Sequence, residues 1–112
     1  ISNHDRILDD KYYVESDEND ILTRCSVNKE ELNAKGELVG IHKLSHQFYR
    51  LMCEDYAKVV DEKPKLGYEY ELLSMSQCIS PIFVLNVPGL LWYEIDDVDD
   101  LAYAERNILN QF

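Results

Sequence analysis

The feature that most restricts this fold is an apolar run that ends abruptly in a block of acids. Leu90-Leu91-Trp92-Tyr93 leads directly into Glu94, Asp96, Asp97, Asp99 and Asp100. Carboxylates held so close repel one another, so the block calls for solvent, a helix N-terminus or a cation. The residues before it read as a strand over 90–95. Those after it place Leu101, Ala104, Ile108 and Phe112 at helical spacing. Asp97 is then the expected N-cap, with Asp99 and Asp100 in the first turn, where the helix dipole favours negative charge. Capping accounts less well for Asp96, at the end of the strand itself. Alternation along the strand puts Trp92, Glu94 and Asp96 on one face. In open α/β sheets ligands collect beyond the carboxyl ends of strands, which makes Asp96 the candidate metal ligand.

Upstream, Lys11–Glu15 and Ile21–Val27 flank the polar cluster Ser16-Asp17-Glu18-Asn19-Asp20 and predict a β-hairpin. The cluster is not a calcium loop, because Ile21 and Leu22 stand where an oxygen ligand and a glycine are needed. Residues 28–32 read as a helical turn and 37–43 as a strand. Ser45 caps a helix over 46–60 whose stripe is Phe48, Met52, Tyr56 and Val59. A second helix is expected over 68–77, a strand over 81–87, and a tight turn at Pro88-Gly89. The sum is a single α/β domain over residues 1–112, with a mixed sheet and flanking helices.

The chain of 112 residues carries 22 acids and 11 bases, a formal net charge of −11. Such a balance opposes nucleic-acid binding through a broad basic face. The acidity is concentrated late: residues 66–112 contain one base, Arg106. With 46% hydrophobic residues and eight tyrosines, the sequence is too apolar for a disordered acidic tail. No apolar run is long enough to span a bilayer, and the sequence shows no secretory signal segment. Cys25, Cys53 and Cys78 lack metal or redox spacing and read as reduced, packed thiols, which suits a cytoplasmic setting. His42 and His46 straddle a strand-to-helix boundary, so a metal pair is not expected of them.

Three segments resemble a known family. Residues 89–105, with Trp92-Tyr93-Glu94-Ile95-Asp96 followed by Asp100-Leu101 and Ala104, resemble the C-terminal W-x-E-I-D segment of small-molecule nucleotidyltransferases. The match is nearest to the cytidylyltransferases that activate phosphocholine and related phospho-alcohols or phosphonates. Gly36–Ser45 resembles their G-E-x-x-G-I-x-K-L-S segment, and Leu66–Tyr70 their later Tyr-Glu segment, in family order. The resemblance implies the C-terminal half of a Rossmann-like nucleotidyltransferase fold. It also implies transfer of CMP from CTP to a phosphorylated alcohol, with Asp96 as one of two aspartates holding Mg²⁺. By the same resemblance Glu69, aided by Tyr68 or Trp92, faces the cationic head group of a choline-like acceptor, and Lys43 contacts a phosphate.

The family holds its nucleotide on an N-terminal Gly-rich loop. The four glycines here, Gly36, Gly40, Gly67 and Gly89, lie too far apart to form one. The chain is therefore expected to be the metal- and acceptor-binding portion of such an enzyme, inactive alone. The alternative is a non-catalytic acidic α/β domain that self-associates, as a homo-oligomer, or binds a protein through a bare sheet edge.

Overall fold

The computed structural model describes residues 11–112. The expectations about a signal segment, and about a domain starting at residue 1, fall on residues outside that range. The predicted hairpin forms from β1 (Tyr13–Ser16) and β2 (Leu22–Ser26), paired antiparallel with Val14 opposite Cys25. Its loop is a turn, as expected. Asp17 Oδ1 accepts the N–H groups of Asn19 and Ile21, each at 2.9 Å. Asp20 takes the left-handed conformation at φ 60°, which Asp tolerates better than most residues. A 3-10 turn follows at Lys29–Glu31, capped by Asn28.

β3 is only Gly36–Glu37, antiparallel to β1, and gives a sheet order of β2-β1-β3. The expected strand over 37–43 therefore stops almost where it starts. Gly40 at φ +80° turns the chain out of register, and Ile41 beyond it is 86% exposed. The expected strand over 81–87 shrinks to an isolated bridge between Ile21 and Phe83. Two flanking bonds support it, Leu22 N–H to Ile82 O and Val84 N–H to Asp20 O. Pro88-Gly89 forms the predicted turn, closed by Leu90 N–H to Val87 O with Gly89 at φ +71°. Residues 90–95 form no strand. Tyr93 stacks on Tyr103 at 5.1 Å, so this segment packs against a helix and finds no strand partner. The three-stranded sheet is thus antiparallel throughout and not mixed.

The helices follow the sequence closely. α1 (His46–Val59) is capped by Ser45, whose Oγ accepts Phe48 N–H at 3.1 Å. α2 (Tyr68–Cys78) begins after Gly67 with Glu69 and Glu71 in its first turn. α3 (Val98–Asn107) is capped by Asp97, which accepts the N–H groups of Asp99 and Asp100. A 3-10 turn, Leu109–Gln111, ends the chain. Only part of the expected α3 stripe is buried: Ala104 and Ile108 are covered, while Leu101 and Phe112 are exposed.

The core lies where α2 crosses the hairpin. Val14, Leu22 and Cys25 meet Leu72 and Met75, and Met75 is fully buried. Ser76 stitches this contact from the polar side. Its hydroxyl donates to Leu22 O at 3.0 Å and accepts Ile82 N–H at 3.1 Å. Met75→Ala is expected to cost ~2–5 kcal/mol through lost contacts and an unfilled cavity. Leu101→Ala, at a largely exposed position, should cost far less in the same urea unfolding series.

Candidate functional site

Helical periodicity divides the flanks of α2. Glu69, Leu72 and Ser76 follow one line along it, and Tyr68, Glu71 and Met75 follow another. The first line borders a cavity of about 330 Å³ between α2, the hairpin and the two irregular segments at 38–44 and 82–85. Glu69, Lys43 and His42 all line this cavity. Its other walls are apolar, including Ile41, Phe83 and Leu85. The last two are 72% and 77% exposed, so the cavity has a broad apolar rim.

Glu69 sits among aromatic rings. Tyr68 hydrogen-bonds to its carboxylate, and His42 meets the Tyr68 ring edge-on at 5.4 Å. Burial, followed by the charge of Glu69, pushes the Tyr68 hydroxyl up to about 12, so it stays a proton donor. Gly67 leaves room for this arrangement: a Cβ there would lie 2.5 Å from Glu69 Oε2. Cys25 lies under the same helix, its Sγ 3.6 Å from Glu69 O. Burial, then Glu69, pushes that thiol up to about 11. Cys25 is therefore the packed thiol expected from the sequence, whereas Cys53 and Cys78 are exposed, contrary to expectation.

Asp96 and Trp92 belong elsewhere, since neither lines the cavity of Glu69 and Lys43. Trp92 is half-buried in the irregular segment before α3, and Asp96 is exposed at its end. Their neighbour Asp100 is buried and already engaged. It accepts the Tyr93 hydroxyl at 3.2 Å and Asp96 N–H at 3.0 Å. With Asp97 committed to the cap, Asp96 is left facing solvent beside the helix N-terminus. Among the described residues no group of three or more His, Cys, Asp or Glu side chains is placed to hold a metal ion.

The second line of α2 borders a separate cleft of about 310 Å³ against α1. Tyr49, Met52, Cys53 and Tyr56 supply its α1 wall, and Leu66, Tyr68 and Glu71 the other. Glu71 was not singled out for a role by the sequence, yet it is only 4% exposed and its Oε1 is buried without a hydrogen-bond partner. The visible signal was the spacing of Tyr49, Met52, Cys53 and Tyr56, a run of i, i+3, i+4 and i+7 with two rings in it.

No protein-family model matches the sequence. Among the described residues, no helix is long and apolar enough to cross a membrane.

Burial, then the nearby Asp55 carboxylate, raises the pKa of Glu71 above its ordinary value. The folded state therefore binds this proton more tightly than the unfolded chain does. Stability from this group is greatest below the unfolded value and falls as pH rises through the raised one. Glu71→Gln should accordingly gain more stability at pH 7 than at pH 4, measured from urea midpoints. Equal gains at both pH values would contradict the linkage.

Proposed function

We propose that this chain is the metal- and acceptor-binding portion of a Rossmann-like nucleotidyltransferase that moves CMP from CTP to a phosphorylated alcohol such as phosphocholine. The observation that carries the reading is the ordered set of three segments, Gly36–Ser45, Leu66–Tyr70 and Gly89–Glu105. The meeting of Lys43 from the first with Glu69 from the second around one cavity supports it. A largely apolar cavity carrying one cation and one anion suits a zwitterion with a methylated ammonium at one end and a phosphate at the other.

In this reading Lys43 pairs with the acceptor phosphate, while Glu69 and the Tyr68 ring face the ammonium. An acceptor phosphate oxygen attacks the α-phosphorus of CTP, forming one P–O bond as the bond to pyrophosphate breaks. Asp96 holds Mg²⁺, which supplies positive charge against the phosphoryl oxygens. The CTP phosphates are held by a glycine-rich segment supplied with this portion. A cytoplasmic setting belongs to the same proposal.

Reconstitution tests it. The chain joined to a glycine-rich nucleotide-binding half of such an enzyme should release pyrophosphate from CTP and phosphocholine in a Mg²⁺-dependent way. Asp96→Ala should lower that rate about 100-fold or more, the scale for removing one group that offsets developing charge. Wild-type rates in this variant would remove Asp96 from the assignment.

A second reading is favoured by the exposure of Ile41, Phe83 and Leu85 around the same cavity. It takes the chain as a non-catalytic module that self-associates through this rim. Light scattering separates the two. A dimer that Phe83→Ser dissolves, together with no reconstituted activity, selects the second reading.

A further inference from the structure

We propose that α1 is a pH-sensitive latch, held on α2 while Glu71 and Asp55 share a proton and released when Glu71 ionises. The device stands apart from nucleotidyl transfer, since neither carboxylate lines the cavity of Glu69 and Lys43. α1 is suited to moving. None of its residues is buried, and its packing among the described elements is chiefly against α2. A helix of 14 residues is marginal in water by itself, so leaving α2 also loosens its own hydrogen bonds.

The geometry of the carboxyl pair links ionisation to that contact. Glu71 is 4% exposed, its Oε1 is buried without a hydrogen-bond partner, and its carboxyl hydrogen-bonds to Asp55 across the interface. Two carboxyl groups bond to each other only when one of them carries a proton. Asp55 pairs with Lys58 Nζ at 3.3 Å, so the proton falls to Glu71. Burial and then Asp55 raise the pKa of Glu71, with Lys58 opposing them. The other titratable groups on this cleft, among the described residues, are Tyr49, Cys53 and Tyr56 of α1 and Tyr68 of α2. None of them supplies a positive charge, and no charged residue of the loop 61–65 lines the cleft. Loss of the Glu71 proton therefore sets two carboxylates against each other where one oxygen has no access to water. Separation of α1 from α2 hydrates the new charge and relieves the repulsion. The docked state binds the proton more tightly than the released one. Docking is accordingly strongest below the ordinary carboxylate range and weakens as pH rises through the raised value.

The test is amide hydrogen exchange on the full chain at pH 4 and pH 7, with each rate divided by that of an unstructured amide at the same pH. Protection in the centre of α1, residues 52–57, should be lower than at Leu72 and Met75 of α2, because α1 opens without the core. It should fall between pH 4 and pH 7 by about tenfold for each unit by which the Glu71 value is raised. Glu71→Gln, which keeps a donor toward Asp55 and cannot ionise, should remove the fall. Asp55→Asn should shrink it, and carries the test should Glu71→Gln perturb the fold. Glu54→Gln, an exposed neighbour paired with Arg50, should leave it intact. The proposal is overturned by any of four results: no fall in α1 protection, α1 protection equal to that of Leu72 and Met75, a fall undiminished in both Glu71→Gln and Asp55→Asn, or a fall removed by Glu54→Gln. Because the readout is the opening of α1, its outcome is independent of whether Asp96 supports pyrophosphate release.

Discussion

The packing of α2 across the hairpin is the constraint on which the rest of this structure depends. Met75 and Leu72 close the apolar side of that contact against Val14, Leu22 and Cys25. Ser76 closes the polar side by bonding to Leu22 and Ile82 together. This single junction fixes the rotation of α2 about its own axis. That rotation in turn decides that Glu69 faces the hairpin cavity and Glu71 faces α1. Two carboxylates only two positions apart therefore enter different environments, one among hydrogen-bonding aromatics and one buried with an unbonded oxygen.

A sheet this short cannot cover everything the sequence offers it. β3 contributes two residues, and the segment at 82–84 adds only an isolated bridge at the β2 edge. Ile41, Phe83 and Leu85 are consequently left around an open apolar rim. The same economy limits α1, none of whose residues is buried and whose half-covered stripe leaves a cleft against α2. The cavity and the cleft are thus consequences of incomplete burial around one well-packed helix.

The helices were legible because their signals are local. Ser45 and Asp97 cap where their side chains meet amides two or three residues on, and the hairpin is set by Asp17 in the same way. The strands over 37–43, 81–87 and 90–95 were not legible, because strand formation depends on a distant partner that β-propensity does not name. Ile41 from the first segment and Ile82 to Leu85 from the second instead line the open cavity. Of the candidate residues, Lys43 and Glu69 line one cavity, while Trp92 and Asp96 stand apart from it. Glu71 was hard to find because an acid in a helix's first turn ordinarily serves the dipole. Its burial arises only from the tertiary placement of α1.

The strong acidity of the C-terminal part has a mostly structural explanation. Asp97 caps α3, Asp100 is bonded to Tyr93 and Asp96 N–H, and Asp99 occupies the favourable first turn. Asp96 is the carboxylate of this cluster that we propose for Mg²⁺, and Lys43 with Glu69 is the pair we propose for the acceptor. The most direct test of that account is a residue-resolved NMR titration of the chain with phosphocholine. The account predicts saturable shifts at Lys43, Glu69 and the Tyr68 ring that are lost together in a Lys43→Ala, Glu69→Gln double variant. Shifts confined to other surfaces, or undiminished in that variant, would contradict it.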